Sequence, residues 1–179
     1  MTQALKKFNR AIKDASELLD CYKTLNGHES ITPPDSLKTA GLIMALTAWE
    51  TYIEDVATEL FRIKFSVVKG STIGDFAEKQ LKERLKQFHN PDSKKTKHLF
   101  EEFFGIDITE SWKWNNVLPI DARTQLNGWI TKRGEAVHRA NVEVSQPHII
   151  RKGELAKCIR FIQELAHATD KQIDVLITS

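Results

Sequence analysis

Gly41-Leu42-Ile43-Met44-Ala45-Leu46-Thr47-Ala48-Trp49-Glu50-Thr51-Tyr52-Ile53-Glu54-Asp55 is the stretch that decides the fold of this chain. Leu42, Leu46, Trp49, Ile53, Val56, Leu60 and Phe61 recur at helical steps and form a wide apolar stripe. Met44, Ala45, Ala48, Tyr52 and Ala57 broaden it. A surface helix needs one apolar face, so a helix with a stripe this wide packs on more than one side, as at the centre of a bundle. The helix is expected over about 35–68, behind Pro33-Pro34, with Asp35 or Ser36 as its cap. Glu50, Glu54, Asp55 and Glu59 interrupt its apolar residues. No run in the chain approaches the ~18 apolar residues that span a bilayer.

Four further helices are expected around this one. Leu5, Phe8, Ile12, Ala15, Leu18, Leu19 and Tyr22 predict the first, over 2–25, ended by Asn26-Gly27. A helix over 71–89 has Ser71 or Thr72 as cap and Ile73, Phe76, Leu81, Leu85 and Phe88 facing inward, and Asn90-Pro91-Asp92 stops it. A fourth begins near Asp121 and places Leu126, Trp129, Ile130, Arg133 and Val137 in one narrow arc. The last, about 148–177, carries Leu155, Ile159, Ile162, Leu165, Ala166, Ile173 and Leu176. Residues 90–119, with Gly105, Trp112, Trp114 and Pro119, read as an irregular insertion or connection, too short to bury a core of its own. The fold class is all-α: an antiparallel up-down bundle of four or five helices with one elaborated crossover, forming a single domain over 1–179.

Composition excludes little. The 179 residues are 41% hydrophobic and 28% charged, as in globular domains, and the formal net charge of +2 names no partner. Cys21 and Cys158 fall on different predicted helices and outside any CxxC pair, so they are read as reduced and the chain as cytoplasmic. Met1-Thr2-Gln3-Ala4-Leu5-Lys6-Lys7 lacks the apolar core of a signal peptide. His89 and His98 are not at metal-ligand spacing with each other or with a cysteine, so no metal site and no cofactor is expected. A Gly-rich phosphate loop and a serine nucleophile elbow are both missing.

Chemistry concentrates in Thr131-Lys132-Arg133-Gly134-Glu135-Ala136-Val137-His138-Arg139-Ala140. Here a permanent cation and a proton-transfer group stand with four residues between them. His138 falls at the flank of the helix's apolar face and Arg133 at its middle. A planar guanidinium can hold two phosphate oxygens, and an imidazole can donate or accept a proton near neutral pH. A plainer reading stands beside each: His138 as a helix-end histidine favoured by the dipole, Arg133 as an arginine paired with an acid. Glu50 either orients Arg133 or His138 or is a boundary carboxylate in solvent. Arg139 either contacts phosphate or favours the helix end. Lys132 and the run Lys94, Lys95 and Lys97, with Lys79, Lys82, Arg84 and Lys86 before it, are candidate RNA-backbone contacts or a solvated face. Trp112 and Trp114 can stack on bases but read more simply as packing residues.

Arg133-Gly134-Glu135-Ala136-Val137-His138, on the penultimate helix ahead of a long final one, fits an R-x4-6-H pattern, and Gly41 to Asp55 is similar in style to the small-and-apolar second helix that accompanies it. In these features the chain resembles the HEPN superfamily, of the RiboL-PSP-HEPN kind, over about residues 1–70 and 120–178. The resemblance implies a helical bundle that dimerises through the motif helices, with RNA as partner and metal-independent RNA cleavage through 2′-OH attack. Arg133 is then the phosphate clamp and His138 the acid or base, and a two-fold dimer supplies a second motif. The setting would be defence or stress response, with a regulatory protein as a further partner. Some members of the superfamily are non-catalytic modules that bind RNA or protein, and that alternative stays open. One departure bears on it: the residue after the motif arginine is commonly polar in active members, and here it is Gly134.

Overall fold

The computed structural model describes residues 1–28, 32–138 and 150–178. It contains helices α1 (Gln3–Asn26), α2 (Ser36–Lys64), α3 (Thr72–Lys86), α4 (Ser93–Phe104), α5 (Pro119–His138) and α6 (Lys152–Thr178), with short 3-10 turns at Ser66–Val68 and Ile108–Ser111. Among the described residues there is no strand, only an isolated bridge between Trp114 and Val117. The all-α class therefore holds. No helix among them is long and apolar enough to cross a membrane.

The wide stripe of α2 places it at the centre. Leu42, Leu46, Trp49, Ile53, Val56 and Leu60 are buried along its whole length, against α1 on one side and α6 on the other. The direction of each helix follows from its cross-links. The Glu59 carboxylate near the end of α2 accepts the Gln3 and Ala4 amide N–H groups at the start of α1, at 3.0 and 2.9 Å, so the two run antiparallel. Tyr52 donates to the Ala166 carbonyl at 3.1 Å, while a Cβ added at Gly41 would lie 2.9 Å from Leu155, so α6 runs parallel to α2. The bare Cα of Gly41 leaves room for the Leu155 side chain of α6 beside the Ala15 carbonyl of α1. Successive helices alternate in direction through the bundle.

Caps fix the helix starts. Thr2 accepts from the Leu5 N–H at 3.0 Å, Ser71 from Gly74 at 3.1 Å and Asp92 from Lys95 at 2.7 Å. Asp35 makes an ion pair with Lys38 instead of a side-chain cap. α5 starts two residues before Asp121, with Pro119 in the first turn and Asp121 accepting the Leu118 N–H at 3.3 Å. Buried Asp170 of α6 accepts from the Thr2 N–H and hydroxyl, and burial pushes its carboxyl above the usual range.

Three expectations are corrected. Residues 90–119 are not irregular: they contain α4, the 3-10 turn at Ile108–Ser111, and Leu99, Phe100, Ile108 and Trp112 in the core. Trp112 donates to Thr169 of α6 at 2.9 Å and packs edge-on against Trp49, with ring centres 5.8 Å apart. Short as it is, this segment completes the main core rather than making its own, and the described helices number six. α3 rests lightly on α2, so Ile73 (75%) and Phe76 (62%) are exposed, while Leu81 and, beyond the helix, Phe88 are buried and Leu85 packs half-buried against the core. Val137 is 52% exposed although its neighbour Ala136 is buried, so it stands on the face of α5 turned away from the core.

Candidate functional site

Arg133 projects from α5 into the angle between α2 and the loop that joins α3 to α4. Its side chain is only 17% exposed, and three polar groups hold it. Nη1 donates to Glu50 Oε2 at 2.8 Å and to Asn90 Oδ1 at 2.7 Å, and Nη2 donates to Thr47 at 3.3 Å. Thr47 and Glu50 are three residues apart on α2, hence neighbours on one helix face. The two hydrogens of Nη1 are thereby used. Among the described residues, Nε and the second hydrogen of Nη2 have no partner, which leaves the guanidinium two donors for an anion.

The loop carrying Asn90 is fixed from several sides. Buried Trp49 donates its ring N–H to the Pro91 carbonyl at 3.0 Å, and Asn127 of α5 accepts the Ser93 N–H at 3.0 Å. Phe88 is buried, and Asn90 takes the left-handed conformation (φ 51°) that asparagine tolerates better than most residues. These anchors present Asn90 Oδ1 to Arg133. They also bring His89 to the other oxygen of Glu50, with Nδ1 3.6 Å from Oε1. Glu54, one turn along α2, lies beside a groove of about 830 Å³ that His89, Lys79, Lys82 and Lys86 also line. Burial, reinforced by the charge of Glu50, raises the Glu54 carboxyl above its ordinary range.

The structure thus puts Arg133 and Glu50 in contact. His138 lies in α5 five residues on, about 7.5 Å along the axis; its side chain and Arg139 fall outside the described residues. Lys132 turns elsewhere: its ammonium lies 2.6 Å from Glu154, whose carboxyl it lowers, and over the Trp129 ring at 5.2 Å. Lys97 is held between Asp107 at 2.7 Å and Glu101 at 3.4 Å, and Asp107 raises its ammonium. Lys95 reaches the His89 carbonyl at 2.5 Å, and Lys94 is exposed. Lys82 and Lys86 pair with Glu78 and Glu83, so this run alternates in sign. Trp114 packs beside Phe161, with ring centres 5.7 Å apart. Burial pushes the Cys158 thiol up to about 12, which leaves it unreactive. No group of histidines, cysteines and carboxylates that would hold a metal ion occurs among the described residues.

Sequence reasoning missed Thr47, His89 and Asn90 as parts of this cluster. The one available signal was Asn90-Pro91, read only as a helix stop. Gly134 is also clarified. Among the described residues a Cβ there would meet nothing within 4 Å, so none of them uses its smallness. Gly134→Ala is expected to raise stability by about 0.5–1 kcal/mol through helix propensity. Urea unfolding checks this, with the midpoint moving upward and the slope unchanged.

A helical bundle whose described helices carry an Arg and a His on the last but one, the arginine aimed between that helix and the second, is a helical domain of the HEPN superfamily. The match extends along nearly the whole chain: the model of the RiboL-PSP-HEPN family covers residues 9–175, and the protein belongs to that family. Neither a curated protein nor a solved structure matches it.

Proposed function

We propose that this protein is a metal-independent endoribonuclease that cleaves RNA by attack of a 2′-OH on the adjacent phosphate. The observation that carries this reading is the cradle of Arg133, a guanidinium fixed by Glu50, Asn90 and Thr47 with two donors left over, on the helix that also bears His138. A preorganised cation costs no rearrangement as charge builds on the phosphate in the transition state. His138 moves one of the protons, and Lys94, exposed at the start of α4, is a contact for the RNA backbone. Two copies pair through α5, where Val137 is exposed, and the setting is cellular defence or stress response. Membership in the family supports a nuclease-type domain.

The test is cleavage of RNA in EDTA by wild type, Arg133→Ala and His138→Ala, each first shown to be folded and unchanged in oligomeric state. Products with 2′,3′-cyclic phosphate ends are expected. Activity should fall about 10²–10³-fold without the guanidinium and about 10²–10⁴-fold without the imidazole. Cleavage untouched by both substitutions would refute the site. RNA binding that weakens in Arg133→Ala, with no cleavage by wild type, would identify a non-catalytic binding module.

A further inference from the structure

The cleavage reaction needs two proton transfers, one from the 2′-OH and one to the leaving 5′-oxygen, and one imidazole cannot serve both in the same step. From the geometry around Glu50 we infer that His89, in the loop between α3 and α4, is the general base of this site. The inference rests on the nuclease reading given above.

A single carboxylate links the two groups. Glu50 Oε2 accepts from Arg133 at 2.8 Å, while Oε1 faces His89 Nδ1 at 3.6 Å. That puts the ring and the guanidinium within reach of one phosphodiester and its neighbouring ribose. A proton on Nδ1, turned to Glu50, leaves the Nε2 lone pair facing away from the protein. A carboxylate behind an imidazole sets the tautomer in this way for a general base. The 3.6 Å separation is long for a hydrogen bond, and such contacts tighten when substrate binds. His89 is 74% exposed, so RNA can reach it, yet its backbone is not free: Phe88 is buried, Trp49 holds Pro91, and Lys95 takes the His89 carbonyl. Its charged surroundings are Glu50 and Glu54 on α2, Arg133 on α5 beyond Glu50, Lys86 on α3 and Lys95 on α4.

In the reaction, Nε2 of His89 takes the 2′-OH proton as the oxygen's electron pair forms the bond to phosphorus. The bond from phosphorus to the 5′-oxygen breaks, and that oxygen receives a proton from His138. Arg133 holds the non-bridging oxygens. The products are a 2′,3′-cyclic phosphate and a 5′-hydroxyl, and the two histidines return to their starting states by exchanging one proton each with water.

Two substrates separate base from acid: an RNA with an ordinary 5′-oxygen leaving group, and the same RNA with a bridging 5′-sulfur, whose thiolate leaves without a proton. His89→Ala and His89→Gln should lose about 10²–10⁴-fold on both. His138→Ala should recover most of its rate on the sulfur substrate alone. Added imidazole should partly restore His89→Ala, and the acidic limb of the pH–rate profile should flatten in His89→Gln. Exposure of His89 makes its variants fold like wild type, which circular dichroism verifies. Wild-type rates in both His89 variants would overturn the inference while leaving the nuclease reading intact. So would recovery of His89→Ala on the sulfur substrate, since that would make His89 the acid. No cleavage by wild type would overturn the nuclease reading and this assignment with it.

Discussion

Trp49→Ala is expected to bring the domain close to unfolding at room temperature. The indole is wholly buried, between Tyr52 at 6.0 Å and Trp112 at 5.8 Å. Truncating a buried tryptophan costs about 3–5 kcal/mol in lost burial and residual cavity. Stripping the Pro91 carbonyl of its donor adds to this, and a whole domain is held together by only about 5–15 kcal/mol. Trp49→Phe isolates the smaller part. It keeps most of the ring volume and deletes the donor, for about 1–3 kcal/mol. Because that bond fastens the loop of His89 and Asn90, the phenylalanine variant should lose more RNA cleavage than its stability predicts. Urea denaturation measures the first effect. Hydrogen exchange at residues 90–95 measures the second, with faster exchange expected there than in α6. Equal protection of the loop in both proteins would show that the Trp49 bond does not hold it.

Glu50→Ala should destabilise the fold and disable the site together. The carboxylate and the guanidinium are 16% and 17% exposed, so neither is screened as a surface pair would be. Removing the acid strands a largely buried positive charge on Asn90 and Thr47 alone. Losing a hydrogen bond to a charged group costs about 1.5–3 kcal/mol, and breaking a fully buried pair costs more. Glu50→Gln retains a carbonyl acceptor for Arg133 and should cost less than half as much. A double-mutant cycle with Arg133→Ala reads the pair directly, with a coupling energy of about 1–3 kcal/mol expected. Cleavage should fall about 100-fold in Glu50→Ala, because a misplacement of about 1 Å in a clamping group is enough for that. A coupling energy of zero would mean that the two side chains do not meet in solution.

The bundle was legible in the sequence because its signal is periodic. The apolar residues of α1, α2 and α6 recur at helical spacing for more than twenty residues each, and the structure buries them together. α4 escaped notice because it is short and because Gly105 and the tryptophans beyond it resemble a loop. Its buried residues are Ser93, Thr96, Leu99 and Phe100, only two of them apolar, too few for a hydrophobic period to emerge. Ile73, Phe76 and Val137 misled for the opposite reason. They fit an apolar arc, but period says only that residues share a face and not that a neighbour covers it. Arg133, at the centre of an apolar arc, was readable as a residue with a partner, and Glu50 was named as one choice. Thr47, Asn90 and His89 were not readable, since they meet Arg133 and Glu50 only after Trp49 and Asn127 have anchored the loop from two other helices.

The shared carboxylate of Glu50 ties the history of this site to the history of the fold. A descendant that replaces Arg133 alone inherits a mostly buried acid without its guanidinium, and its folding suffers at once. Drift at this site is therefore expected to proceed through paired changes at positions 50 and 133, with 47 and 90 relaxing afterwards. A relative keeping Glu50 without an arginine opposite it must have found another cation to stand there.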